Sequence, residues 1–194
     1  MSNSVRERLF DAASSLFQEH GYDVSIDMII SRAGVARQSF YNHFPTKEAL
    51  FVEVMREWMK DVLVPLNQSS PDLRDTLLRF AAGYRAHALS PCGLAGYRTI
   101  LGQVPRFPEL TREVFESSIG SMLDLLVQVL ADAMRKQQLR PVDPVFAAEM
   151  LMSLLAGYER SRLLFGVGEP CPDEERRVGE IVDGYMRMFA PLNT

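Results

Sequence analysis

The stretch from Gly21 to Leu50, GYDVSIDMIISRAGVARQSFYNHFPTKEAL, constrains this chain more than any other. Its spacing predicts two short helices joined by a tight turn, followed at once by the start of another helix. Ser25 is placed to cap the first with its hydroxyl, and Ile26, Ile29, Ile30 and Ala33 form the buried side of that helix. Gly34 stands where the chain leaves it, a position that favours the left-handed conformation. The second helix runs from about Ala36 to Phe44. Phe40 and Phe44 are four apart and face inward, which leaves Arg37, Gln38, Ser39, Tyr41, Asn42 and His43 largely outward. Those side chains suit base edges and phosphates, so the outline is that of a helix-turn-helix DNA reader. An Ala-Gly turn between amphipathic helices also occurs in plain helical domains, and the turn alone leaves both readings open.

The order of residues around the turn resembles the TetR family of bacterial transcriptional regulators: Gly21, Ser25, Ile29, Ala33-Gly34-Val35, Phe40-Tyr41, His43-Phe44, Thr46-Lys47 and Leu50. Beyond this stretch the chain is similar in its helical layout and in Arg106-Phe107-Pro108-Glu109-Leu110, which resembles a segment of the AcrR/AefR-like branch. The resemblance implies an all-α fold of about nine helices. A three-helix reading domain (residues 1–47) would precede a larger helical bundle for effector binding and dimerisation (48–194). It further implies that Arg37, Gln38, Ser39 and Asn42 approach base edges while Ser25, Tyr41, His43 and Lys47 hold phosphates.

Two residues depart from the family pattern. Ala36 stands where a Ser or Thr usually caps the reading helix, so one end-of-helix donor loses its partner at a cost of about 1 kcal/mol. Gln38 stands where a small residue or proline is common, and glutamine can contact adenine through two hydrogen bonds.

Charge narrows the partners. The net charge of −4 argues against a general polyanion binder. Residues 1–47 balance five basic residues (Arg6, Arg8, Arg32, Arg37, Lys47) with five acidic ones (Glu7, Asp11, Glu19, Asp23, Asp27), so DNA affinity must come from a local face. Helix N-termini add to such a face without net charge. With 47% hydrophobic residues the chain can build a substantial core. No apolar run is expected to reach bilayer length, and MSNSVRERLFDAA lacks a signal-peptide block, so a cytoplasmic location is expected. Cys92 and Cys171 are isolated and fit no metal or CxxC spacing; a reduced structural role is expected of both.

Along the chain, Val5, Leu9, Ala13, Leu16 and Phe17 predict a first helix ending near Gly21. Thr46 is expected to cap a fourth that Pro65 disrupts, and Ser70-Pro71-Asp72 opens a fifth reaching about Leu89. A sixth runs from about Cys92 to Val104, and a seventh from Pro108 to Gln138. From Pro144 to about Phe165 apolar residues occur all round the helix, which predicts cover on every side; residues 173–190 carry a single stripe. A two-fold partner would therefore bury Met150, Leu151, Leu154, Leu155, Tyr158, Val178, Ile181, Val182, Tyr185, Met186 and Phe189 in a four-helix homodimer interface.

No catalytic, metal or cofactor motif is recognisable: His87 lies five residues before Cys92, but nothing supplies an oxyanion turn or third group. The Met- and aromatic-rich middle, at helical spacing, reads more readily as ordinary core than as a ligand cavity. The family resemblance implies instead a small-molecule pocket, for an apolar or aromatic effector, with Tyr84, His87, Tyr97, Arg98, Phe107, Phe115, Met122, Met150, Tyr158 and Arg162 as its candidate residues. The reading is a ligand-responsive regulator, repressing from a palindromic operator. An activator without a small-molecule effector, or a helical protein-interaction module, is the alternative.

Overall fold

The structure, a computed structural model, describes residues 4–68, 70 and 72–191. Among them the chain is helical and contains no strand. The elements in order are α1 (Val5–His20), α2 (Ile26–Ala33), α3 (Arg37–His43), α4 (Lys47–Asn67), α5 (Leu73–Ala88), α6 (Pro91–Gln103), α7 (Pro108–Phe115), α8 (Ser121–Arg135), α9 (Pro144–Leu164) and α10 (Glu174–Met188). A π-turn at Glu116–Gly120 joins α7 to α8 without a break, and counting that run as one helix gives nine among the described residues.

Local chemistry sets most helix ends. Ser4 and Glu7 form a reciprocal capping box on α1. Ser25 accepts from the Met28 amide, Gly34 is left-handed at φ 63° and ψ 44°, and Thr46 accepts from the Ala49 amide, all as the sequence predicts. At α5 the cap is Asp72, which accepts from Asp75, whereas Ser70 accepts from the Asp72 amide; the expected first-turn Pro71 lies outside the described residues. Pro65 does not disrupt α4. It falls in the last turn, so the one ladder bond its missing N–H removes lies where only two helical residues remain to follow, and the Asn67 side chain donates to the Leu63 carbonyl there.

The helices form two compact units. The first comprises the chain to Trp58 together with Ala95–Ser118, and the second Met59–Leu94 together with the chain from Ile119. In the first, Leu9, Phe17, Tyr22, Ile29, Phe40, Phe44 and Phe51 share a core with Leu110 and Val114 of α7. Edge-to-face contacts link Phe17 to Phe51, Phe51 to Tyr22 and Tyr22 to Phe107. Each such pair adds about 0.5–1.5 kcal/mol beyond area burial. Trp58 closes this core by donating to Ser14 at 2.9 Å.

In the second unit α5, α8, α9 and α10 enclose Leu77, Phe80, Met122, Leu126, Leu130, Leu151, Leu155, Val182 and Tyr185. Six residues expected at a dimer interface lie here instead: Leu151, Leu155, Val178, Val182, Tyr185 and Phe189 are buried by their own chain and offer a partner no surface. The reason is geometric. An all-round apolar helix such as α9 must give one stripe to its own core, and α10 has only one stripe to give. Arg85 is buried here too, donating to Glu174, to Glu159 and to the Leu155 carbonyl, and so ties α5 to α9 and α10.

The expectation that no stretch reaches bilayer length is corrected as well. Pro108–Arg135 is a 28-residue helix long and apolar enough to do so by length and composition. Asp124 and Asp132 interrupt its apolar run in sequence but lie on one exposed side, while Met122, Leu126, Leu130 and Ala133 pack in the core.

Candidate nucleic-acid interface

Two short helices around Gly34 present one exposed face. Ile29 and Ala33 of α2 and Phe40 of α3 are buried, which turns the other side of α3 outward. Ala36 starts α3 with no side-chain cap, and the Ser39 amide bonds back to the Ala36 carbonyl at 2.9 Å. Gln38 and Asn42, one turn apart, are both exposed and joined by a 3.2 Å hydrogen bond from the Gln38 amide to Asn42 Oδ1. They offer one continuous row of donors and acceptors.

Arg37 lies beside them, paired with Asp27 at 2.5 Å. The Tyr41 hydroxyl and then the Asp27 carboxylate favour its charged form. Both partners of the ion pair are exposed, so solvent screens it and little opposes breaking it to reach a base. Ser39 is half-buried; His43 is exposed on the last turn of α3.

Ser25, Tyr41 and Lys47 come together. With Ile26, Pro45, Thr46 and Glu48 they line an open cleft of about 410 Å³. The N-termini of α2 and α4 both open on it, with the partial positive charge of their free amides, next to an ammonium group and a phenol hydroxyl. That combination suits a phosphate oxygen.

Lys47, which the family resemblance places on a phosphate, is also held by its own chain. It is half-buried, its Nζ donates to the carbonyls of Tyr22 at 2.8 Å and Val24 at 3.1 Å, and it rests 3.9 Å from the centre of the Tyr22 ring. Burial pulls its pKa below the ordinary lysine value, against the raising pull of Glu48 and Asp23. The Tyr22 hydroxyl donates to Glu48 at 2.7 Å; that bond holds the Glu48 carboxyl below its ordinary value. Burial first, and then this bond, push the Tyr22 phenol upward. Thr46 and Tyr22 are functional neighbours the sequence did not mark: the cap signal of Thr46 was legible, but its place on the cleft depends on how α4 meets α2.

The ten effector-pocket candidates are divided between the two compact units. Tyr97, Arg98, Phe107 and Phe115 belong to the first compact unit, and the other six to the second. Phe107 is committed to Tyr22, Met122 is core, and Tyr158 is 81% exposed. Arg162 donates to the Glu169 carbonyl and closes the turn after α9. Tyr84, His87 and Met150 belong to the second unit, and burial lowers the His87 pKa. Clefts there of about 350 Å³ (with Thr76, Val129 and Lys136) and about 500 Å³ (with Leu78, Ala82 and Val178) are lined by other residues.

Residues 9–54 match the family of bacterial regulatory proteins of the tetR type, and residues 75–191 match the C-terminal domain of AefR-like transcriptional repressors. The uncharacterized HTH-type transcriptional regulator YdgC of Bacillus subtilis is 26% identical over 189 residues, covering 93% of this chain and 92% of its own. Among solved structures, the flavonoid-responsive regulator FrrA is 27% identical with a TM-score of 0.78, covering 97% of this chain and 98% of its own. A TetR-family regulator from Mesorhizobium loti is alike in fold, with a TM-score of 0.79 at 23% identity, covering 96% of both chains.

Proposed function

The chain belongs to the TetR family of bacterial regulatory proteins and is a transcriptional regulator with a helix-turn-helix DNA-binding domain; we propose that it acts in the cytoplasm as a repressor, binding a palindromic operator as a homodimer. The observation that carries this is the pairing of an exposed Gln38–Asn42 row with a cleft made by Ser25, Tyr41 and Lys47. The row reads bases, with Arg37 beside it, and the cleft grips the sugar-phosphate backbone. Ser39 and His43 complete the reading face at its edges. A single α3 contacts only a few base pairs, so two copies about one helical turn (~34 Å) apart are needed for high affinity.

Release by an apolar or aromatic small molecule is the second part of the proposal. FrrA is named flavonoid-responsive, and the second unit of this chain carries clefts in the size range of small-ligand sites. Such an effector must favour one arrangement of the reading heads over another, typically by about 1–3 kcal/mol of coupling.

The test is operator binding by fluorescence anisotropy, with duplex selected by the wild-type protein from a random library. Gln38→Ala should cost about 1–3 kcal/mol and relax specificity at one position. Tyr41→Phe, which removes one exposed hydroxyl, should weaken all sequences alike. Equal losses on selected and random DNA for both variants would overturn the assignment of the two surfaces. A ligand that raises the melting temperature but leaves operator affinity unchanged would remove the effector role.

A further inference from the structure

We propose that Arg106 and Phe107 are positioning residues for DNA backbone contact, forming a latch that sets Lys47 through the Gly21–Val24 turn. This rests on the reading of the Ser25, Tyr41 and Lys47 cleft as a phosphate grip.

The ammonium of Lys47 has three donors, and two are fixed by the carbonyls of Tyr22 and Val24. The direction of the third is therefore set by the turn. The turn is in turn held from the α6–α7 side. Phe107 meets the Tyr22 ring edge to face at 5.5 Å and 72°. Arg106 covers the Phe107 ring at 5.0 Å and approaches Asp23, the residue after Tyr22, at 4.0 Å. On α6, Thr99 abuts Gly21: a Cβ at Gly21 would stand 3.0 Å from Thr99 Oγ1, and Gly21 has φ 67°, which side chains avoid.

Tyr22 has thus one ring face under Lys47 and edges against Phe51 and Phe107, with its hydroxyl bound to Glu48. Remove the Phe107 ring and a void opens beside Tyr22, which can then tilt and carry its carbonyl with it. A contact held to within about 0.5 Å by such support is lost when the support goes. The loss falls on backbone contact, so it should be the same for every DNA sequence. The Arg106-Phe107-Pro108-Glu109-Leu110 segment thereby acquires a role that is neither effector lining nor dimer contact: Leu110 anchors it in the first core, and Phe107 presses on the turn.

The chain contains only three lysines (Lys47, Lys60 and Lys136), so full-length protein labelled with ε-¹³C lysine gives a directly assignable spectrum. In the wild type the Lys47 ε-proton signal should be shifted upfield by the Tyr22 ring. Phe107→Ala should move it toward the position of an exposed lysine, and Phe107→Tyr should restore it. On a mixed-sequence 30-base-pair duplex, Phe107→Ala should weaken binding by about fivefold and reduce the salt slope by about one per lost contact. Arg106 is exposed, so Arg106→Ala tests the same latch in a variant that keeps its core, with a smaller shift in the same direction. Leu101→Ala, on the exposed side of α6, should change neither readout. A Lys47 signal that does not move in Phe107→Ala or Arg106→Ala overturns the latch whatever the DNA result. A signal that moves while the salt slope stays constant overturns its role at the backbone. Failure of the wild type to bind any duplex would instead bring down the regulator reading, and this role with it.

Discussion

Arg85 donates from Nε and Nη2 to both carboxylate oxygens of Glu174, at 2.8 and 2.9 Å, although 89 positions separate them in the chain. The guanidinium is 2% exposed and also meets Glu159 at 2.8 Å. Two acids on α9 and α10 thus converge on one buried cation. Arg85→Ala should cost about 3–5 kcal/mol in denaturant unfolding, because it strands those acids at the bundle edge. Arg85→Lys should recover only part, since a lysine cannot make the parallel pair of bonds.

Acid should loosen the second unit through the same group. Burial raises the Glu159 carboxyl, but the Arg85 hydrogen bond and charge, and then the Cys171 amide, outweigh it and hold the pKa below the ordinary 4.5. A carboxylate depressed on folding stabilises the fold above its unfolded pKa and loses that contribution as pH falls. Glu19 behaves alike: Arg32 and then Ser15 hold it down to about 2. Melting temperature should therefore be flat above about pH 5 and fall between about pH 4.5 and 2. The Glu19 share, being at the surface, should shrink in high salt, while the Glu159 share should vanish in Arg85→Ala. A melting temperature constant down to pH 3 would refute this.

Gly93 and Gly102 lie on the same helix and should respond oppositely to alanine. A Cβ at Gly93 would stand 2.0 Å from the His87 carbonyl oxygen, a backbone atom that cannot swing aside, whereas nothing lies within 4 Å at Gly102. Gly93→Ala should destabilise by about 1–3 kcal/mol or more. Gly102→Ala should stabilise by up to about 1 kcal/mol through its gain in helix propensity. Thermal melts of the two variants settle the contrast, and equal effects would contradict it.

The outer side of α9 is where a second copy is expected. Phe146, Leu154 and Tyr158 are exposed there, with Leu154 at 45%, while Met150, Ile181 and Met186 are partly covered. Leu154→Glu and Tyr158→Glu should give folded monomers that no longer bind the operator. Val182→Glu, at a fully buried position, should unfold the protein instead. Light scattering with circular dichroism separates the two outcomes, and a wild-type mass of one chain at DNA-binding concentrations would sink the dimer.

What the sequence by itself determined is everything that a few neighbouring residues decide. The caps at Ser25 and Thr46 and the left-handed Gly34 depend on bonds spanning three or four positions. So do the inward Phe40 and Phe44, because the helical period fixes which side of α3 they share. Tertiary structure decided the rest, for one recurring reason: a side chain's partner is chosen by what packs beside it. Lys47 reads only as a phosphate contact until the Gly21–Val24 turn brings two carbonyls to it. Phe107 reads as a pocket aromatic until α7 places it on Tyr22. The stripe of α10 reads equally well as core or interface, since burial against one's own chain and against a partner demand the same apolar residues; only the packing of α5, α8 and α9 assigned it to the core.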